Sequence, residues 1–205
     1  MIMRTLVITS ILSLIFLFSG CTSMIRPEKT QPVFYLLQTQ ADRTSCSQSF
    51  NGGLRIWDFE TSEPFNRTQM AVIRTNGTIV FSRKHQWAAL PGIMLAESLQ
   101  QDFSQNSLFP LAVKSMTETR TSYELTGRIK RFCLKQKVDT GLAEIKAEII
   151  LQTSEDNEVV FHKTYSLNSH SIPLDEPSKY VKAISKLTDN LYRRLQVDLC
   201  QVAKN

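Results

Sequence analysis

Apolar positions along this chain fall into three kinds of run, and each predicts a different element. The first kind is continuous. Leu6 to Phe18 is almost wholly apolar, follows the single charge of Arg4, and stops at Ser19-Gly20-Cys21. A bilayer-spanning helix needs roughly 20 apolar residues, so this run is short for a span. Its length and flanks fit a secretory leader. The second kind alternates. Tyr123, Leu125, Gly127 and Ile129 fall on one side, and Glu124, Thr126, Arg128 and Lys130 on the other. Ala143 to Leu151 alternates against Glu144, Lys146 and Glu148. Val159, Phe161, Tyr165 and Leu167 mark a third long strand, with Asp156-Asn157 as the turn before it. A period of two with one polar side predicts an antiparallel meander with a wet face. The third kind repeats at helical spacing. Leu95, Leu99 and Phe103 lie four apart after Pro91, and Tyr180, Ile184, Leu187, Leu191 and Leu195 follow Pro177. Proline is favoured in a helix's first turn, where its missing N–H costs nothing, so helices are predicted at Leu90 to Phe103 and after Asp175 or Glu176 as N-cap.

Shorter runs complete the pattern. Val33 to Leu37 reads as a strand, and the polar stretch Gln38 to Gly53 as a loop. Leu54 to Phe59 carries Leu54 and Ile56 on one face and Trp57 and Phe59 on the other, which predicts a central strand buried on both faces. Met70 to Ile73 and Thr78 to Phe81 flank Asn76-Gly77, a pair that predicts a hairpin closed by a type I′ turn. Leu108 to Val113 is a further short strand. Strands, helix, strands, helix predicts an α+β domain: a mixed, largely antiparallel sheet with two helices packed on one face.

Cys21 changes the reading of the leader. A short apolar run, then small residues, then cysteine is the processing signal of a bacterial lipoprotein. Phe18 stands where that signal usually has Leu, while Ser19 and Gly20 meet its small-residue requirement. Cleavage after Gly20 makes Cys21 the first residue, with acyl chains on its thiol and amine, and three chains exceed the two-signal threshold for stable anchoring. The predicted organisation is a signal peptide over 1–20, a lipidated tether over 21–32 containing Pro27 and Pro32, and an α/β domain over 33–205. Thr22 and Ser23 follow the cysteine; bacterial lipoproteins kept at the inner membrane typically carry Asp there, so the resemblance to lipoproteins implies the periplasmic face of the outer membrane.

Composition narrows the function classes. With 42% hydrophobic and 21% charged residues, 205 residues suit one globular domain plus a tether. The net charge of +5 is scattered; its densest cluster, Arg128, Lys130, Arg131, Lys135 and Lys137, reads as a solvated strand face. No nucleic-acid motif accompanies it. Cys46, Cys133 and Cys200 predict one disulfide and one thiol in an oxidising compartment, and three pairings are open. His85, His162 and His170 have no metal-ligand spacing, and there is no Cys-x-x-Cys, nucleophile elbow or phosphate-cradling glycine loop. Glu144 and Glu148 alternate with Lys146 as a solvated face would. The chain is expected to be no enzyme and to carry no metal and no cofactor beyond the lipid on Cys21.

One family shares this order of features. The lipobox cysteine leads to a tether and the patch Phe34-Tyr35-Leu36-Leu37. Pro64-Phe65, Arg67 and the run Met70 to Arg74 follow, then Trp87-Ala88-Ala89 opening a helix, Gly127 in a Tyr-x-Leu-x-Gly-x-Ile strand, and a C-terminal amphipathic helix. In this the chain resembles the ABC-type transport auxiliary lipoproteins, the PqiC-like family, over nearly all of the mature sequence. The long polar segment Gln38 to Gly53 and the extra cysteines depart from its pattern.

The resemblance implies a fold similar to the N-terminal domain of TolB-like proteins. It implies a role in a system with an ATPase, a permease and a membrane-tethered periplasmic subunit of the mammalian-cell-entry type, moving lipid between membranes. The expected partners are that subunit, the outer membrane, phospholipid and further copies of the chain in a ring. Phe34, Tyr35, Trp57 and Trp87 are the candidate interface residues, with packing into the domain's own core as the alternative for each. With that fold the strands at Leu54 and Tyr123 run parallel, so the resemblance also implies a Cys46–Cys200 disulfide and a free Cys133. The alternative is an envelope-assembly or cell-wall-associated lipoprotein that binds a different complex.

Overall fold

The long alternating segment that begins at Tyr123 is the axis on which the rest of the molecule is hung. In the computed structural model, residues 31–40 and 46–204 are described; the leader 1–20, Cys21 and the tether up to residue 30 lie outside them. In chain order the first strands are β1 (Val33–Tyr35), β2 (Leu54–Ile56), β3 (Glu60–Thr61), β4 (Gln69–Ile73) and β5 (Ile79–Trp87). Helix α1 (Pro91–Phe103) follows, then β6 (Ala112–Lys114), β7 (Tyr123–Gln136), β8 (Thr140–Thr153), β9 (Val159–Asn168), β10 (Ile172–Pro173) and helix α2 (Pro177–Val202). All ten strands belong to one sheet.

One edge of β7 pairs antiparallel with β8 along its whole length, from Tyr123 opposite Thr153 to Gln136 opposite Gly141. The other edge is shared by three short strands, all parallel to it. Leu54 of β2 sits opposite Tyr123, Glu60 of β3 opposite Arg128, and Val72 of β4 opposite Leu134. Beyond them β6 extends β2 in parallel, β5 pairs antiparallel with β4, and β1 closes that side parallel to β5. β9 and β10 pair antiparallel with β8. The architecture is the expected α+β, an open mixed sheet with helices on one face.

That face is apolar because the strand period puts it there. Leu125 and Ile129 of β7 and Ala143, Ile145, Ala147, Ile149 and Leu151 of β8 are buried beneath the helices. A bulge at Lys130 breaks the alternation: Ile129 opposes Ala147, yet Arg131 opposes Lys146. One extra residue exchanges the two sides of a strand. The core face is therefore continued by Phe132 and Leu134, while Cys133 turns into a small separate cluster with Phe65, Ala71 and Ile73.

The helices lie side by side and are bonded to each other. Tyr192 Oη donates to the carbonyl of Leu95 at 2.6 Å, and Gln196 Nε2 donates to buried Asp102. Glycine permits one close approach. A Cβ on Gly92 would stand 1.9 Å from the carbonyl oxygen of Phe59, so only glycine lets α1 begin against that loop.

Several local expectations are corrected. β2 is central but ends at Ile56, so the alternation stops there. Trp57 is 40% exposed, whereas Phe59 is 4% exposed and folds its ring over Gly127 on the core face. Trp87 ends β5 and does not open α1, which begins at Pro91. Leu108 and Phe109 are buried but precede β6, which starts only at Ala112. Glu176 makes no side-chain cap on α2; its carboxylate instead accepts from Lys179 Nζ at 2.7 Å. The β4–β5 turn is not type I′, since Gly77 (φ 83°) has positive φ and Asn76 does not. Gly77 N–H donates to Arg74 O and Arg74 N–H to Thr78 O, the pattern of a type I turn ending in a left-handed glycine. Asn76 Oδ1 accepts the Thr78 N–H instead.

Candidate interaction surface

Residues 33–40, with Cys46 further on, form a strap fixed at successive points. Its first part, β1, adds to the sheet edge with Val33 opposite His85 and Tyr35 opposite Trp87. The Tyr35 hydroxyl shares a 3.1 Å hydrogen bond with His85 Nδ1, and Ala88 N–H donates to Tyr35 O at 2.8 Å. The chain then passes onto α2, where Gln38 N–H donates to Ser185 Oγ at 3.0 Å and Gln40 N–H to Asp189 Oδ1 at 2.9 Å. Cys46 is joined by a disulfide to Cys200 near the end of the same helix, with the Cα atoms 5.7 Å apart. Sequence reasoning missed Ser185 and Asp189. The available signal was a serine inside the apolar stripe between Ile184 and Leu187, since a buried hydroxyl must find a partner.

The strap exposes apolar side chains on an edge of the sheet. Phe34 is 58% exposed and Leu36 65%, while Tyr35 and Leu37 are half-buried and pack on the core. The four aromatics singled out in the sequence therefore part company. Phe34 stands on the surface and Tyr35 is held by His85. Trp57 lies on the helix-free face, with Nε1 donating to Glu124 at 3.1 Å. Trp87 is 1% exposed and packs edge-on against Phe132 at 5.1 Å, so it belongs to the core and presents no face to a partner. β2 and β4 meet opposite ends of β7, and Phe34 lies two strands out from β4, so Phe34 and Trp57 do not form one patch.

Beside Trp57 runs a shallow groove of about 520 Å³ along Asp58, Thr126, Arg128 and Ile150. Its charges satisfy one another. Arg128 pairs with Glu60 at 2.7 Å, Lys114 with Asp58, and Lys130 with Glu148 at 2.6 Å. His162 also reaches Glu148, at 2.7 Å, and Arg131 approaches Glu144 at 3.9 Å. Arg55 spends its guanidinium on the carbonyls of Ser115, Thr117 and Thr119, tying down the loop before β7. Three members of the basic cluster are thus matched by carboxylates of their own sheet, as a solvated face requires.

Glu148 is the hub of that network. Hydrogen bonds from Lys130 and then His162 hold its carboxyl down to about 2, from an ordinary 4.5. A depressed carboxyl adds stability that is complete above about pH 4.5 and disappears as pH falls through about 2. Thermal unfolding of wild type and Glu148→Gln should therefore differ most at pH 6, converge below pH 4.5, and nearly coincide at pH 2. A difference independent of pH would show that the charge is not what Glu148 contributes.

Elsewhere the chemistry is quiet. Cys133 is fully buried, and burial first, then the Glu144 charge, pushes its thiol up to about 12. A thiol so far from ionisation is a poor nucleophile. Burial and then Lys84 lower the pKa of His85. Among the described residues, no three His, Cys, Asp or Glu side chains are placed to hold a metal ion, and no helix is long and apolar enough to cross a membrane.

The fold has solved counterparts. A Xanthomonas campestris protein of the DUF330 family superposes with a TM-score of 0.72 at 15% identity, covering 84% of this chain and 97% of that one. A second crystal structure, of an uncharacterized protein, gives 0.64 at 14% identity over 82% and 99%. The Chlamydia trachomatis protein CT253 gives 0.52 at 7% identity over 76% and 100%. At such identities the likeness shows the fold. No curated protein matches the sequence. Residues 35–196 match the family model described as the ABC-type transport auxiliary lipoprotein component. That match runs from the strap through most of α2, and by it the chain belongs to the family of ABC-type transport auxiliary lipoproteins.

Proposed function

We propose that the protein is a non-catalytic auxiliary subunit of an ABC-type lipid-transport system of the mammalian-cell-entry kind, anchored to the periplasmic face of the outer membrane by acyl chains on Cys21. The observation that carries this reading is the family match over residues 35–196. The lipobox before Cys21 and the absence of Asp after it supply the address. The surface agrees with a binding role. Ion pairs join Lys114, Arg128 and Lys130 to carboxylates on the open sheet face, and exposed apolar side chains gather at Val33, Phe34 and Leu36 on the sheet edge. Phe34 there, and Trp57 on the open face, are the aromatics this reading assigns to contact with the membrane-tethered periplasmic subunit.

Crosslinking in whole cells, followed by purification from solubilised membranes, tests it directly. The expected result is co-purification of a membrane-tethered mammalian-cell-entry subunit together with its permease and ATPase. Capture of a different envelope complex in their place would overturn the transport role. The anchor is tested by Cys21→Ala, which should leave the domain folded yet shift it from the membrane fraction to the soluble periplasm. Unimpaired lipid transport by that variant would show that anchoring is not part of the mechanism.

A further inference from the structure

β9 is the outermost long strand of the sheet. It pairs with β8 from Val159 to Asn168, and among the described residues no strand pairs with its other side. Ser169 N–H donates to Ala143 O at 2.9 Å, one step beyond the pair of Glu144 and Asn168. In an antiparallel ladder hydrogen-bonded and non-hydrogen-bonded pairs alternate. Lys163, Tyr165 and Leu167 therefore direct their backbone groups to β8, and His162, Thr164, Ser166 and Asn168 direct theirs outward. The strand has no proline, and its register shifts only near its start, opposite Leu151 and Gln152. An edge of ten residues with outward-turned N–H and C=O groups is a template for a further strand. The outer strands β1 and β6 offer three residues each.

A groove of about 420 Å³ runs along this edge, between β9 and the second half of α2. Thr164 and Ser166 line its strand side, and Asn190, Arg193, Arg194 and Val197 its helix side. A strand added to β9 would lie about 4.8 Å further out, with every second side chain entering this groove. Those side chains meet two kinds of surface. Val197 is 44% exposed and offers an apolar wall. Arg193 and Arg194 both donate to the side-chain oxygen of Asn190, at 3.3 and 3.1 Å. This neutral amide fixes the direction of the two guanidinium groups without neutralising them. The acid that lines the groove, Asp198, already accepts from Lys163 at 2.7 Å and from Tyr165 at 2.6 Å. The lining is therefore net positive, and guanidinium forks match carboxylates. A second copy of the chain is a poor source of the added strand, since β1, β6 and β9 carry no Asp or Glu.

We infer that β9 accepts an extended acidic segment of another protein as a further strand of the sheet, its carboxylates on Arg193 and Arg194 and an apolar side chain on Val197. In such strand addition, backbone bonds at Thr164 and Ser166 supply affinity and the alternate side chains supply selectivity. The site is separate from Phe34 and Trp57. Phe34 lies on the far side of β7, and Trp57 on the helix-free face. The inference holds whether or not the partner is a transporter subunit. It stands or falls on binding by the purified protein, whereas the auxiliary role stands or falls on co-purification, so either can fail alone.

The test titrates the full-length protein, purified in a non-ionic detergent, with a synthetic peptide as long as β9 that alternates threonine with glutamate and valine. Two control peptides carry lysine in place of glutamate, or N-methyl groups along the backbone. The acidic peptide should bind most tightly. It should slow hydrogen exchange at Thr164 and Ser166 and leave Lys163 and Tyr165, already bonded to β8, little changed. Arg193→Gln with Arg194→Gln should weaken binding about tenfold, the size of two exposed ion pairs. Lys84→Gln with Lys137→Gln removes the same charge elsewhere and should leave binding unchanged. Thr164→Pro removes an outward donor and no bond to β8, so it should abolish binding and keep the unfolding midpoint. Failure of the acidic peptide to bind, equal affinity for either control peptide, or equal loss in the two double variants would each overturn the inference. Protection of Thr164 and Ser166 without peptide, in a protein that sediments as an oligomer, would overturn it as well, since a second copy would then hold the edge. If Thr164→Pro does not fold, the arginine variants and the N-methylated peptide still decide.

Discussion

Replacing Cys46 with serine should lower the unfolding free energy by about 2–5 kcal/mol, the usual cost of losing a native disulfide. The two cysteines are 154 residues apart in sequence, so their link closes most of the domain into one loop. In the chain-entropy model a loop of that length constrains the unfolded state by about 5 kcal/mol, the upper end of the expected range. Most of the strap should be felt as well. Without the bond, Gln38 and Gln40 hold the segment to α2 through one hydrogen bond each, to Ser185 and Asp189. Urea unfolding of Cys46→Ser against wild type, with and without reductant, measures the loss; wild type in reductant should match the variant. Hydrogen exchange at Gln38 and Gln40 should accelerate in both. Non-reducing peptide mapping should find Cys46 and Cys200 in one peptide pair, with Cys133 alkylated only after unfolding. A bridge that contains Cys133, or a variant as stable as wild type, would refute the assignment.

Trp87→Ala should cost about 3–5 kcal/mol, the range for truncating a large aromatic in a packed core. Trp87 touches Phe132 on β7 and Tyr180 on α2, with ring centroids 5.1 and 5.7 Å away. It thereby joins the strand that receives the strap to the sheet axis and to the C-terminal helix. Against a typical domain stability of about 5–15 kcal/mol, such a loss leaves the fold marginal. Trp87→Phe, which keeps an aromatic ring in place, should recover much of it. The measurement separates two roles for this side chain. A partner-contact residue would leave the urea midpoint unmoved on truncation and weaken only association; a core residue lowers the midpoint in the isolated protein. An unmoved midpoint would return Trp87 to the surface.

The Trp87 and Trp57 pair shows where the sequence reading ran out. Both tryptophans are interface candidates in the sequence, with burial in the core as the alternative for each, and nothing in their immediate neighbours separates them. What separates them is strand geometry. β5 carries Trp87 inward beside Phe132, while β2 ends at Ile56 and leaves Trp57 beside Glu124 on the uncovered face. Phe59, assigned to the same face as Trp57, was likewise moved to the core side by that early strand end. The bulge at Lys130 had the same effect inside β7: the alternation from Tyr123 to Ile129 is visible in the residues, but the exchange of sides that buries Phe132 and Leu134 depends on pairing with β8.

Long periodic segments were legible because their period is a local property. Alternation over β7, β8 and β9, and the spacing of leucines on α1 and α2, follow from which residues must leave water, and each segment repeats the signal several times. The α+β class is of this kind. The strap is of another kind. Ser185 and Asp189 receive Gln38 and Gln40 across about 150 residues of chain. Sequence alone determined the long elements and supplied the pattern on which the proposed anchor at Cys21 rests, since both depend on neighbours a few positions apart. Which side chains meet, which charges go unmatched and which aromatic is buried was decided by the tertiary structure, because those are contacts between elements whose separation along the chain carries no record of their distance in space.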